Sequence, residues 1–245
     1  MKQFFAALQF LSVLPVYQQF EADDVGRSQV WFPAVGLVIG VCAAMVYGVT
    51  LLLEMPVLIS GLAGVMALAV FSGFFHLDGV ADTADGFFSS RTREQMLDIM
   101  RDSRIGTMGA IGIFSVLTFK WAALVSLPTD LGWRILVFAP IVGRAGQVVT
   151  MTYMPYARSE GGLASVFLSH CSKQTVLKVI LFCLTAAVIF GGVKGLLALF
   201  VAGAFGVLFN FWCLRKINGM TGDTLGAVSE GLEVMVMCSM CIGMG

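Results

Sequence analysis

Apolar runs about as long as a bilayer is thick constrain this chain more than any other feature of its sequence. A helix needs roughly 20 predominantly apolar residues to cross the hydrocarbon core. Such runs fall near 33–53, 57–77, 106–127, 134–155, 175–191, 194–213 and 225–244. Three of them are interrupted by charge: Lys120 in the third, Arg144 in the fourth, and Glu230 and Glu233 in the last. Only 12% of all residues are charged, against roughly a quarter in soluble domains, and the mean hydropathy is +0.89. Lipid is therefore the expected solvent. The fold class is all-α, a polytopic integral membrane protein of about seven transmembrane helices, with one domain over 1–245.

The N-terminal stretch "MKQFFAALQFLSVLPV" has a short apolar run but no small-residue cleavage site, and Pro15 breaks it. It reads as a retained amphipathic or re-entrant segment. The six cysteines lie almost entirely in apolar runs without the spacing of a disulfide framework, and the CxxC of Cys238 and Cys241 has no second pair nearby. Fifteen basic and fifteen acidic residues cancel, so the chain carries no nucleic-acid footprint.

Positive charge orients the runs. Lys2 and Arg27 precede the first; Arg91, Arg93, Arg101 and Arg104 lie between the second and third. Arg158 and Lys173 follow the fourth, and Arg215 and Lys216 follow the sixth, whereas the opposite loops hold Arg134 and Lys194. The N-terminus and the loops 78–105, 156–174 and 214–224 are expected in the cytoplasm, and the C-terminus outside.

The polar motifs all fall on that side. "HLDGVADTADGFF" places Asp78, Asp82 and Asp85 at i, i+4 and i+7, which on a helix aligns three carboxylates on one face. Like charges so aligned repel, and the arrangement becomes favourable with a divalent cation among the oxygens. Mg²⁺ or Mn²⁺ suits such ligands and commonly keeps substrate phosphates as the remaining ones. Asp98 and Asp102 form a second pair at i, i+4, set among Arg91, Arg93, Arg101 and Arg104. Acids that hold a cation beside guanidinium forks suit a diphosphate; a solvated hairpin laced with ion pairs is the plainer alternative.

Weaker signals surround this core. Arg144 faces either a polar cavity, as a phosphate or counter-ion site, or the interface. Arg158 and Glu160 precede two glycines in "YARSEGGL", a loop able to close over a ligand. Asp223 follows a glycine-rich turn, where helix capping is as good a reading as catalysis. Glu230 follows on the last run. His76 is a second-shell or interfacial residue, and Lys120 is expected to snorkel to the outer interface without a functional role.

Taken together, "FHLDGVADTADGFFSSRTREQMLDIMRDSRIGTMG" and "TGDTLGAVSE", with "ALQFLSVLPV" and "FPAVGLVIG" upstream, closely resemble the cobalamin synthase family. These are the adenosylcobinamide-GDP ribazoletransferases of vitamin B12 biosynthesis. The resemblance implies a Mg²⁺-dependent enzyme of the bacterial inner membrane whose active site faces the cytoplasm. It would join α-ribazole, or its 5′-phosphate, to adenosylcobinamide-GDP, releasing GMP and forming adenosylcobalamin or its 5′-phosphate. The bilayer and these two substrates are the expected partners, assembly into an oligomer is allowed, and no nucleic acid is involved.

The acidic block also looks like a relative of the CDP-alcohol phosphatidyltransferase site. Asp82-Thr-Ala-Asp85-Gly86 and Asp98-Ile-Met-Arg-Asp102 match its two pieces, whereas Phe88-Ser89 replaces an expected Ala-Arg and Glu94 an expected Gly. On this reading Asp78, Asp82, Asp85 and Asp102 are the metal ligands, and Asp98 or Asp102 is the catalytic base. Arg91, Arg101, Arg104, Arg144 and Arg158 bind phosphate; His76, Glu160, Asp223 and Glu230 stand as substrate or second-shell residues. Two rival classes share parts of this pattern. A transporter would use the charges inside the runs as an ion path, and a phosphatidyltransferase would use the same metal logic on a lipid-linked diphosphate.

Overall fold

The computed structural model describes residues 1–158, 160 and 165–243. Its elements are helices, with one isolated β-bridge between Tyr156 and Met220. In chain order they are α1 (Lys2–Leu11), α2 (Ala22–Arg27), a 3-10 turn (Ser28–Trp31), α3 (Phe32–Leu52), α4 (Val57–Phe71), α5 (Phe75–Phe87) and α6 (Arg93–Ile99). These are followed by α7 (Thr107–Ser126), α8 (Thr129–Tyr153), α9 (Ser165–Leu168), α10 (Lys173–Ile217) and α11 (Gly222–Met240).

Side chains are sorted as lipid would sort them. Phe114 and Phe200 are 70% and 75% exposed, while Lys120, Arg144, Glu230 and Glu233 are buried. With no water outside the bundle, apolar side chains gain little by turning inward and charged ones must do so. α8 forms the centre, and α3, α10 and α11 pack around it. α1, at 10 residues, spans only about 15 Å and does not cross. It turns Ala7 and Leu11 into the core and brings Phe10 to one end of the bundle.

Four helical stretches are long and apolar enough to cross a membrane: Ala22–Leu52, Thr107–Ser126, Thr129–Tyr153 and Lys173–Ile217. A fifth is added if α4 and α5, bent by 88°, make one broken span. One sequence expectation is corrected here, and the boundary expected between the runs at 175–191 and 194–213 is located at Gly192. The run at 57–77 is cut at Gly73 and Phe74, both at positive φ, so its last residues belong to α5 and lie across the end of α4. The runs at 175–191 and 194–213 form one 45-residue element with a non-helical break at Gly192 (φ 56°, ψ −134°). Straight, it would measure about 67 Å, twice the hydrocarbon core. It folds back instead, and the Gly195 backbone lies directly against the Ala187 carbonyl. Glycine serves two needs here: Gly192 takes the φ/ψ of the break, and Gly195 leaves room for the close approach.

The charged segments share one end. Arg93 donates to the carbonyls of Ile217 (3.0 Å) and Ala157 (2.6 Å), and Lys216 donates to that of Phe87 (2.8 Å). At the opposite end Lys194 donates to Ile242 O (3.1 Å), and Trp133 stacks edge-on against Phe190. All six cysteines are free.

Candidate functional site

α5 and α11 meet backbone to backbone, and this contact builds the site. A Cβ on Gly79 would sit 2.5 Å from Asp223 O, and one on Gly226 would sit 3.1 Å from His76 O. Two glycines thus let the acidic face of α5 come up against the first turn of α11. That turn is capped by Thr221: its hydroxyl accepts from Thr224 N (3.3 Å), and Thr224 Oγ1 accepts from Thr221 N (2.8 Å). Asp223 is therefore free of capping, correcting one of its two sequence readings. Its carboxylate accepts from Arg158 (2.8 Å) and from the Thr221 hydroxyl (3.2 Å).

The three aspartates of α5 part company. Asp85 accepts from the backbone N–H of Gly106 (2.7 Å) and of Gly109 (2.8 Å). It satisfies two orphan donors at the start of α7 and lies on that helix's positive end. The side chains of Asp78 and Asp82 make no hydrogen bond or ion pair among the described residues. Asp82 is crowded by the carboxylates of Asp223, Asp78 and Asp85, with Arg158 the counter-charge.

The second acidic pair divides as well. Asp102, with Asp78, Asp82 and Arg101, lines a hollow of about 310 Å³. Arg104 grips Asp102 through Nε and Nη2, and these charge-assisted hydrogen bonds hold its carboxyl down at about 2. Asp98 is exposed on α6 and borders neither of the site's two hollows. Arg101 pairs with Glu160 (3.0 Å), and Arg91 is exposed without a partner among the described residues. Ser159, Gly161, Gly162 and Leu163 of the expected closing loop lie outside the described residues.

Asp78 also borders a second cavity, of about 190 Å³. Asp223 and Arg158 stand on its polar side, and Phe10, Phe32, Phe75 and Phe167 on its apolar side. His76 is fully buried behind it. The Gln147 side-chain amide lies 2.8 Å from His76 Nε2, while Gln147 Oε1 has no partner among the described residues. None of these aromatic residues stood out in a chain with twenty phenylalanines. Gln147, an amide three residues from Arg144 in an apolar run, is marked in the sequence by its polarity.

Three charges expected elsewhere lie deep in the bundle. Lys120 donates to Glu230 (2.5 Å) and Glu233 (2.6 Å), and Arg144 pairs with Glu233. Arg144, 1% exposed, is a counter-ion to Glu233 and lines neither chamber of the site. Glu230 faces Lys120 and no substrate pocket. Lys120 points inward because a carboxylate partner in low dielectric outweighs a reach to the interface.

The acidic hollow fits a hard divalent cation through its donor chemistry. Among the described residues no three His, Cys, Asp or Glu side chains converge on one point. Two unpaired carboxylates, Asp78 and Asp82, are what Mg²⁺ ordinarily takes from a protein, with phosphate and water completing its shell.

Fold and site together define an all-helical protein of membrane type, with a two-chambered acidic and basic site at one end of its bundle. The chain belongs to the cobalamin-5-phosphate synthase family, whose model matches residues 3–241. Proteins named adenosylcobinamide-GDP ribazoletransferase match it throughout. The one from Geotalea daltonii is 35% identical over 243 residues, covering 98% of this chain and 97% of the relative. That from Klebsiella pneumoniae strain 342 is 40% identical over 253 residues, covering 98% and 99%, and that from Clostridium novyi is 34% identical over 245 residues. No solved structure matches the chain.

Proposed function

We propose that this protein joins α-ribazole, or its 5′-phosphate, to adenosylcobinamide-GDP at the cytoplasmic face of the bacterial inner membrane. GMP leaves, and adenosylcobalamin or its 5′-phosphate forms. Beside family membership, one observation carries the reading: Asp78 is the common wall of a hollow lined by acids and Arg101 and a cavity lined by aromatic rings. A reaction between a diphosphate and a nucleoside needs two such chambers meeting at one point.

Asp78 and Asp82 would hold Mg²⁺, with Asp102 at the hollow's rim. When bound, the ion supplies charge neutralisation on the diphosphate. Arg101 and Arg158 flank the phosphates from the two sides, and Arg104 orients Asp102. The acceptor hydroxyl attacks the phosphorus bearing the corrinoid arm, a new P–O bond forms, and the P–O bond to GMP breaks. Asp223, fixed by Arg158 and Thr221, takes the hydroxyl proton. Asp98, remote from both chambers, and Asp102, held at about 2 by Arg104, are poor bases. Positioning and electrostatics supply the remainder.

Seven passes count α4 with α5 as one, α10 as two across its break at Gly192, and α11 as the last; the gathering of positive charge at the site end puts the site inside the cell. Purified protein in lipid, given Mg²⁺, adenosylcobinamide-GDP and α-ribazole, should release GMP in step with product, and EDTA should stop it. Turnover in chelator, with residual metal shown absent, would overturn the metal assignment. No GMP release under any condition would overturn the activity.

A further inference from the structure

Protein interiors leave few voids larger than a water molecule, so a 190 Å³ cavity walled by phenyl rings is not ordinary core. The rings come from four separate elements: Phe10 of α1, Phe32 of α3, Phe75 of α5 and Phe167 of α9. Phe10 lies 5.0 Å from Phe167, 5.9 Å from Phe75 and 6.3 Å from Phe32, and Phe32 lies 5.3 Å from Phe167. Each ring turns an edge or face to its neighbour, yet together they leave the cavity open. Opposite them the lining is polar, with Asp78, Asp223, Arg158 and Gln147.

Gln147 adds an independent sign of a ligand. It is 3% exposed, lines the cavity, and its Oε1 has no hydrogen-bond donor among the described residues. Leaving a buried carbonyl unsatisfied is costly, and a ligand hydroxyl would satisfy it.

We infer that this cavity is the seat of the acceptor nucleoside, with its flat apolar base among the four phenylalanines and its sugar hydroxyls toward Gln147, Asp78 and Asp223. The assignment rests on the proposed activity and adds to it which chamber takes which substrate. A flat ring with few polar edges suits phenyl walls. A guanine would leave several N–H and C=O groups desolvated there without partners. A corrinoid is too large for the volume. The donor diphosphate is thereby left to the hollow on the other side of Asp78.

The test uses full-length protein in nanodiscs, with benzimidazole riboside as the probe, titrated calorimetrically without donor. Wild type should bind one equivalent, and guanosine should not displace it. Phe10 is half-buried and Phe75 is 40% exposed, so Phe10→Leu and Phe75→Leu should keep the fold, as melting will verify. Each should weaken riboside binding about tenfold and raise the KM for α-ribazole by a similar factor, with the KM for adenosylcobinamide-GDP unchanged. Displacement by guanosine, absence of riboside binding to wild type, or variants that raise only the donor KM would overturn the inference. Guanosine competition decides even if a variant fails to fold. Riboside binding without GMP release would sink the activity and spare the seat; GMP release with acceptor kinetics untouched by both substitutions would do the reverse.

Discussion

Asp82 and Asp98 are both aspartates on short helices at the same end of the bundle, and their surroundings assign them opposite fates. Asp82 is half-buried, pressed by three other carboxylates and, among the described residues, in no ion pair. Asp98 is exposed to solvent on α6. Asp82→Asn should lower GMP release by roughly a hundredfold or more, with Mg²⁺ titration showing weakened activation, whereas Asp98→Asn should stay near wild type. Equal losses from both would restore Asp98 to the machinery. The i, i+4, i+7 spacing announced the acidic face of α5, but not that Asp85 would leave it for Gly106 and Gly109. Its partners lie 21 and 24 residues onward, and nothing local separates it from Asp82. The same holds for Arg144, whose partner Glu233 is 89 residues away. Residue type and spacing carry the chemistry of a face; the assignment of each side chain waits on which helices touch.

Among elements, the approach of α5 to α11 decides whether the two chambers share a wall. Gly79 permits it, since a Cβ there would stand 2.5 Å from the Asp223 carbonyl. Gly79→Ala should push the helices apart, costing about 1–3 kcal/mol of stability. A displacement near 1 Å between Asp78 and Asp223 should lower turnover on the order of a hundredfold. Gly48→Ala on α3, where a Cβ meets nothing within 4 Å, is the control and should match wild type in both melting and GMP release. A Gly79→Ala protein with normal turnover would show that the contact does not set the site. Run length and polarity in the sequence marked α3, α7 and α8 to within a few residues, because burial in lipid is a property of a whole segment. The glycine pair before Val193 also marked the break at Gly192, whereas the one at Gly73–Phe74 was less visible: a left-handed residue within an apolar run changes direction without changing hydropathy.

For the molecule as a whole, charge is arranged twice: at the site end, and in a closed group within the bundle. Lys120 and Arg144 face Glu230 and Glu233 there, two cations against two anions, tying α7 and α8 to α11. The proposed orientation rests on the segregation at the site end. In a variant lacking native cysteines, a cysteine at position 130 should label from outside the cell and one at position 90 should not; the reverse would invert the molecule. The buried group bears on stability, and its net neutrality makes a sharp test. Lys120→Met leaves Glu230 charged and unpaired in low dielectric, a defect of about 3–5 kcal/mol that should appear as a large fall in melting temperature. Adding Glu230→Gln removes that orphaned charge and leaves Arg144 with Glu233, so the double variant should recover most of the loss. Neither residue lines a chamber of the site, so GMP release per folded molecule should be that of wild type in the double variant. If Lys120→Met alone melts like wild type, the group is not holding the bundle together. If the double variant is stable yet inactive, these charges serve the reaction and not the fold.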